Sequence, residues 1–246
     1  MQIEYHKWFS KRLNREMELK VYGNYGKPFL VFPSSGGAFH EYEDFKMIDA
    51  VAPYINGGQA KFFCIDSIDN DTWLNTGASD EHIAGRHQAY HDYVMEEVVP
   101  FIHQHCQGSQ GICTTGCSMG AFHAANFYFK RPDVFDSVIA LSGIYNAEKV
   151  LNRKYGIEQI YYNSPLHYLR NLSDPQAIAN YRKGKIIICV GQGAFEEEMV
   201  EDTARLKNTL KAKGVEAWID FWGHDVNHDW PWWRKQMPHF MRHVLD

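Results

Sequence analysis

Gly116-Cys117-Ser118-Met119-Gly120 sets a serine between two glycines at the spacing G-x-S-x-G. A serine at the top of a sharp strand-to-helix turn takes strained backbone angles, so the residues two before and two after it must be small. Such a turn lifts the hydroxyl clear of the chain. It also places the next N–H at a helix N-terminus, where developing negative charge is favoured. A plain serine in a glycine-rich loop would carry the same letters, and the flanks separate the two readings. Gly111-Ile112-Cys113-Thr114-Thr115 reads as a strand, and Ala121-Phe122-His123-Ala124-Ala125-Asn126-Phe127 as a helix, the setting the motif requires. Ser118 is the expected nucleophile.

A serine hydroxyl needs a base to take its proton, and the base needs a carboxylate to orient it. Behind an elbow of this kind the acid and then the histidine follow in chain order. Gly223-His224-Asp225-Val226-Asn227-His228-Asp229-Trp230 is the loop before the last helical segment, and His228 stands where it can point back toward the strand ends. His224, nearer the strand terminus, reads as structural. The acid is expected after the apolar run Lys185 to Val190, where the chain offers Glu196, Glu197 and Glu198 and no aspartate. Glu196 ends the loop before helical periodicity starts and is the first choice, with Glu197 the alternative. Carboxylates at a helix N-terminus are also favoured by the dipole alone, which accounts for at least two of the three.

The tetrahedral intermediate of acyl transfer needs two backbone N–H donors. Met119, directly after the serine, supplies one. The turn Pro33-Ser34-Ser35-Gly36-Gly37 is small enough for close approach and supplies the other, from Ser35 or alternatively Gly36. His224, Asp225, His228 and Asp229 cluster in sequence, but a metal reading would lack further ligands and leave the serine turn unexplained. His87 and His91, four apart on a helix, read as packing or surface histidines. Gly191-Gln192-Gly193 lacks the third glycine of a dinucleotide loop. No cofactor and no metal are expected.

These residues need a scaffold that alternates strand and helix. Strands are expected at Glu16 to Tyr22, Pro28 to Phe32, Lys61 to Asp66, Gly111 to Cys117, Val138 to Leu141, Lys185 to Val190 and Glu216 to Trp222. Helices are expected at Glu81 to His105, Met119 to Phe129, Glu196 to Lys213 and from Trp230 to the end. The alternation predicts a mostly parallel central sheet with helices on both faces, and the first two strands suggest a mixed edge. Residues 146–183 break the rhythm and predict a short lid-like insertion or pocket wall. Tyr161, Tyr162, Trp73 and Trp230 are either pocket aromatics or core. The whole of 1–246 reads as one domain, without linker or repeat.

Composition narrows the partners. Apolar residues make up 45% and charged residues 22%, a globular balance, and the net charge of −5 gives no reason to expect nucleic acid or an anionic membrane. No run of ~20 apolar residues predicts a membrane span, and the N-terminus does not read as a signal peptide. The five cysteines are an odd number without CxxC spacing and read as buried free thiols of a cytoplasmic protein. Homo-oligomer formation is left open by the sequence.

The chain resembles the putative-esterase family of α/β-hydrolases, the group of esterase D-like enzymes (S-formylglutathione hydrolases), feruloyl esterases and mycolyltransferases. The resemblance spans nearly the whole chain. It rests on Gly116 to Gly120 with its Ala-rich helix, on Leu141-Ser142-Gly143 after the next strand, and on His228-Asp229-Trp230 with Trp233. It implies an α/β-hydrolase fold and hydrolysis of carboxylic esters; a small-molecule ester of small or medium acyl length is the expected substrate. Ser118 would be the nucleophile, His228 the base and Met119 an oxyanion donor. Many relatives carry His-Gly where this chain has Pro33-Ser34, and an aspartate where it has Glu196 to Glu198. An acyltransferase with the same residues, and a non-catalytic binding protein of the same fold, are the rival readings.

Overall fold

The computed structural model describes residues 1–246. Eight strands form one sheet: β1 (Ile3–Ser10), β2 (Arg15–Tyr22), β3 (Lys27–Phe32), β4 (Ala60–Ile65), β5 (Ile112–Cys117), β6 (Phe135–Leu141), β7 (Lys185–Val190) and β8 (Trp218–Phe221). Their order across the sheet is β1-β2-β4-β3-β5-β6-β7-β8. From β4 to β8 every pairing is parallel, while β1–β2 and β2–β4 are antiparallel. This is the α/β-hydrolase architecture. The mixed edge is present, but β1 and β2 make it, and β3 lies inside the parallel part. β4 and β5 are buried at every position, Lys61, Thr114 and Thr115 included, as strands covered on both faces must be.

The helices are α1 (Glu41–Asp44), α2 (Met47–Asn56), α3 (Asp80–Tyr93), α4 (Val99–His105), α5 (Met119–Lys130), α6 (Ala147–Leu151), α7 (Glu158–Tyr161), α8 (Pro165–Asn171), α9 (Pro175–Lys183), α10 (Glu197–Ala212) and α11 (Trp230–Leu245). One face of the sheet packs Ile48, Val51 and Ile55 of α2 with Met237 and Phe240 of α11. The other packs Tyr90, Ala121, Ala124, Ala125, Phe127 and Leu206 from α3, α5 and α10. Helices on both faces bury a parallel sheet completely, which is why its strands carry so few polar residues. No helix is long and apolar enough to cross a membrane.

Several expectations are corrected. The helix expected over Glu81 to His105 is interrupted by a π turn at Val94–Val98. Pro100 lacks the N–H that would bond to Glu96, so the ladder resets there. The turn aims Glu97 at the first hairpin, where its carboxylate accepts from Trp8 Nε1 at 2.8 Å and Ser10 Oγ at 2.9 Å. The final strand spans only Trp218–Phe221, at the sheet edge. Of the five free cysteines four are buried, and Cys106 is only half-buried.

β3, β5 and α5 meet at one point. A Cβ on Gly120 would lie 2.3 Å from the Phe32 carbonyl oxygen, and one on Gly116 would lie 2.4 Å from the Gly120 carbonyl carbon. Both glycines of the motif are therefore demanded by backbone contact. Gly120→Ala is expected to lower stability by about 1–3 kcal/mol through overpacking. Urea unfolding checks this, and an unchanged midpoint would show that the helix can back away.

Candidate active site

Ser118 caps α5 at φ 57° and ψ −120°, a left-handed conformation rare for a side chain larger than glycine. Its N–H is bonded to the Leu141 carbonyl at 2.9 Å, which ties the turn to the end of β6. The adjacent Cys117 thiol is buried, and burial pushes its pKa well up, so it stays protonated beside the serine.

His228 Nε2 lies 2.9 Å from Ser118 Oγ, and its Nδ1 lies 3.3 Å from Glu196 Oε2. With the proton on Nδ1, the ring donates to Glu196 and accepts from the serine hydroxyl, the tautomer the two partners require. Ser118, His228 and Glu196, expected from the sequence, are thus brought together. Glu197 is exposed in the first turn of α10. His224 is exposed and contacts only the Gln192 carbonyl, at 3.3 Å. It does not gather with Asp225, His228 and Asp229 into a metal-binding group; the one such group is Glu4, His6 and His105, on β1 and α4.

The acid and base loops are fastened by two backbone bonds and one to a side chain. His228 N–H donates to the Ala194 carbonyl at 3.0 Å, Gly193 N–H to the Val226 carbonyl at 2.9 Å, and Ala194 N–H to Asn227 Oδ1 at 2.9 Å. A Cβ on Gly191 would lie 2.2 Å from the Val226 oxygen, and one on Gly193 2.3 Å from Asn227 Oδ1. Gly191-x-Gly193 therefore exists for loop-to-loop contact.

Two further residues serve the acid. Ser142 Oγ donates to Glu196 Oε1 at 2.6 Å and accepts from Trp233 Nε1 at 3.1 Å. The buried carboxylate is thus satisfied on both oxygens, which a buried charge requires. Trp233 also stands edge-on to the His228 ring, with centroids 4.9 Å apart at 87°. Ser142 and Trp233 were visible in the sequence as residues of the resemblance. Nothing in their spacing announced the shared hydroxyl.

The turn after β3 is held by a residue that sequence reading missed. Buried Glu41 accepts from the Ser34 N–H at 2.8 Å and the Ser34 hydroxyl at 2.5 Å. Burial raises its pKa, while the two Ser34 bonds pull the other way. A Cβ on Gly37 would lie 2.2 Å from Glu41 Oε1. With Ser34 occupied in this way, Ser35 is the residue of the turn that borders the cavity at Ser118. Met119 borders it too, and as the first residue of α5 its N–H has no carbonyl within the helix to serve.

That cavity encloses about 170 Å³ and is walled by Phe122, Ile144, Val150 and Met199. Lys149 stands at its side, paired with the buried Asp202 at 2.9 Å. Asp202 also accepts the N–H groups of Tyr145 and Asn146 at 2.8 and 2.9 Å, so the wall is anchored on α10. None of the four aromatics considered from the sequence lines it. Trp73 is buried and donates to His87 Nδ1 at 3.2 Å, and Trp230 stacks on Phe45 at 4.7 Å. Tyr161 and Tyr162 border a separate cleft. His87 is a core residue, and His91 stacks on Phe127 at 5.3 Å, both packing roles.

The model of the family described as Putative esterase matches residues 10–244. No curated protein matches the sequence. Among solved structures, a ferulic acid esterase superposes with a TM-score of 0.76 at 16% identity, covering 99% of this chain and 98% of that one. The S-formylglutathione hydrolase of Staphylococcus aureus gives 0.74 at 14%, covering 100% of both chains. Serine hydrolase F of Staphylococcus aureus, described as fluorophosphonate-binding, gives 0.76 at 15%, covering 100% and 98%. At such identities the structural likeness speaks to the fold.

Removing the Glu41 carboxylate leaves two donors of Ser34 without their acceptor. Glu41→Ala is expected to lower stability by about 1–3 kcal/mol and to speed amide exchange at Ser35 and Gly36. Hydrogen exchange that stays at the wild-type rate in this turn would contradict the clamp.

Proposed function

The chain belongs to the Putative esterase family, and from that membership we propose that it hydrolyses short-chain carboxylic esters through Ser118, His228 and Glu196. The observation that carries this reading is the unbroken chain from Ser118 Oγ through His228 to a buried, doubly bonded Glu196. A binding protein of the same fold has no use for a strained serine, a base in contact with it and an acid behind the base.

The reaction follows from the donors and acceptors. His228 Nε2 takes the Ser118 proton as Oγ attacks the ester carbonyl carbon. The negative charge that forms on the carbonyl oxygen is met by the N–H groups of Met119 and Ser35, with Gly36 the alternative second donor. Glu196 stabilises the imidazolium without taking its proton. The bond to the leaving alkoxide then breaks, and His228 delivers the proton to it. A water, deprotonated by His228, attacks the acyl-serine and releases the acid. No step requires a metal or cofactor.

The cavity volume supports a short acyl group. At about 170 Å³ it is well below the ~300–1,000 Å³ of sites that enclose drug-sized ligands. Residues 1–246 act as one domain in this account. Of the insertion at 146–183, Lys149 and Val150 form part of the acyl pocket wall.

Turnover of p-nitrophenyl acetate tests the reading. Ser118→Ala is expected to lower kcat by at least about 10⁴-fold. Glu196→Gln should cost about 10³–10⁴-fold by disfavouring the working tautomer, and Glu197→Gln about nothing. Retained activity in Ser118→Ala, or equal losses at the two glutamates, would sink these assignments.

A further inference from the structure

A second cavity, of about 570 Å³, opens between α3, the last turn of α5 and the segment from Ile157 to Asn163. It lies at the far end of the helix that Ser118 caps, ~18 Å away along the axis at 1.5 Å per residue. Two features of its lining have no use inside the protein.

The first is Lys130. Its Nζ makes one hydrogen bond, to Asn163 Oδ1 at 2.9 Å, and no carboxylate lies within ion-pair distance. An ammonium has three donors, so two are unspent. The Asn163 amide is fixed in this orientation, because its Oδ1 also accepts from Asn126 Nδ2 at 3.1 Å and its Nδ2 donates to the Gln159 carbonyl at 3.0 Å. Burial pushes the Lys130 pKa down to about 8, opposed only by the charge of Asp92. A cation at the end of α5 is favoured by the helix dipole. The dipole explains why a cation stands here and leaves its spare donors unexplained.

The second is Gly85, midway along α3. Glycine inside a helix costs about 1 kcal/mol relative to alanine. Gly120, the other glycine within a helix, stands where a Cβ would strike backbone. At Gly85 nothing lies within 4 Å of the Cβ position. The residue lines the same cavity as Lys130, and its missing side chain widens the floor.

We propose that this cavity binds a small organic carboxylate, seated on the Lys130 ammonium with its apolar body over Gly85 and against Ala84 and Ile157. Glu81 on the same wall weighs against a dianion and so favours a singly charged ligand over phosphate. The site is independent of the chemistry assigned to Ser118.

Calorimetric titration of the full chain with sodium benzoate and sodium butyrate, with inorganic phosphate as the control anion, tests this. The wild-type protein should bind a carboxylate saturably and gain Tm with it, and phosphate should do neither. Lys130→Met removes a largely buried unpaired charge, and Gly85→Leu adds a good helix former, so both variants should fold. Each should weaken carboxylate binding at least tenfold. No saturable carboxylate binding to the wild type would overturn the proposal. So would wild-type affinity in either variant, which would place the ligand elsewhere, and tighter binding of phosphate would overturn its ligand class.

Discussion

Ser118 sits at φ 57° and ψ −120° because β3, β5 and α5 approach one another too closely to leave it another course. A residue held in such a conformation costs about 1–3 kcal/mol, and the surrounding packing has to impose it. The two motif glycines let the backbones touch, and the Ser118 N–H is bonded to the end of β6. Below them, α5 is locked by a fully buried pair, His123 Nε2 to Asp69 Oδ1 at 2.8 Å. The hydroxyl therefore has a fixed origin from which every other distance in the site is set.

The remaining parts of the site are loops at the carboxyl ends of the strands, where open α/β sheets place their ligands. Each is held by an interaction of its own. Glu41 grips the turn after β3, the Ala194 and Val226 carbonyls fasten the loops after β7 and β8 together, and Trp233 reaches back from α11 to Ser142. Loops fastened to a rigid sheet keep hydrogen-bond geometry without costly reorganisation during reaction. Ser142 is the junction, since its one hydroxyl serves both the acid and the last helix.

The central strands and the long helices were legible because apolar residues dominate the strands and a 3.6-residue period marks the helices, although the period read over 81–105 hid the π turn at Val94–Val98. β1 was not, and its burial shows why. Ile3, Tyr5 and Phe9 point outward and are about half exposed, at 52%, 53% and 54%, while Glu4, His6 and Ser10 face inward. At these six positions the usual polarity is inverted, with Glu97 and His105 supplying polar partners on the inner side, while Lys7 outward and Trp8 inward keep it, so no clean alternation survives. Ser118, His228 and Glu196 were legible from motif and chain order. Glu41 was not: a carboxylate in a one-turn helix carries no pattern, and only the fold brings it under Ser34. The glycines at 191 and 193 were legible as a pair, while their purpose depended on a partner loop more than thirty residues away.

The most direct measurement is mass spectrometry of the intact and digested protein after reaction with a fluorophosphonate, which loses fluoride and phosphonylates a serine whose hydroxyl is activated by a base beside an oxyanion site. One adduct per chain, on the peptide carrying Ser118, and none after His228→Ala, is the result expected. An unlabelled Ser118 in the folded wild-type protein, or labelling indifferent to His228, would contradict the account.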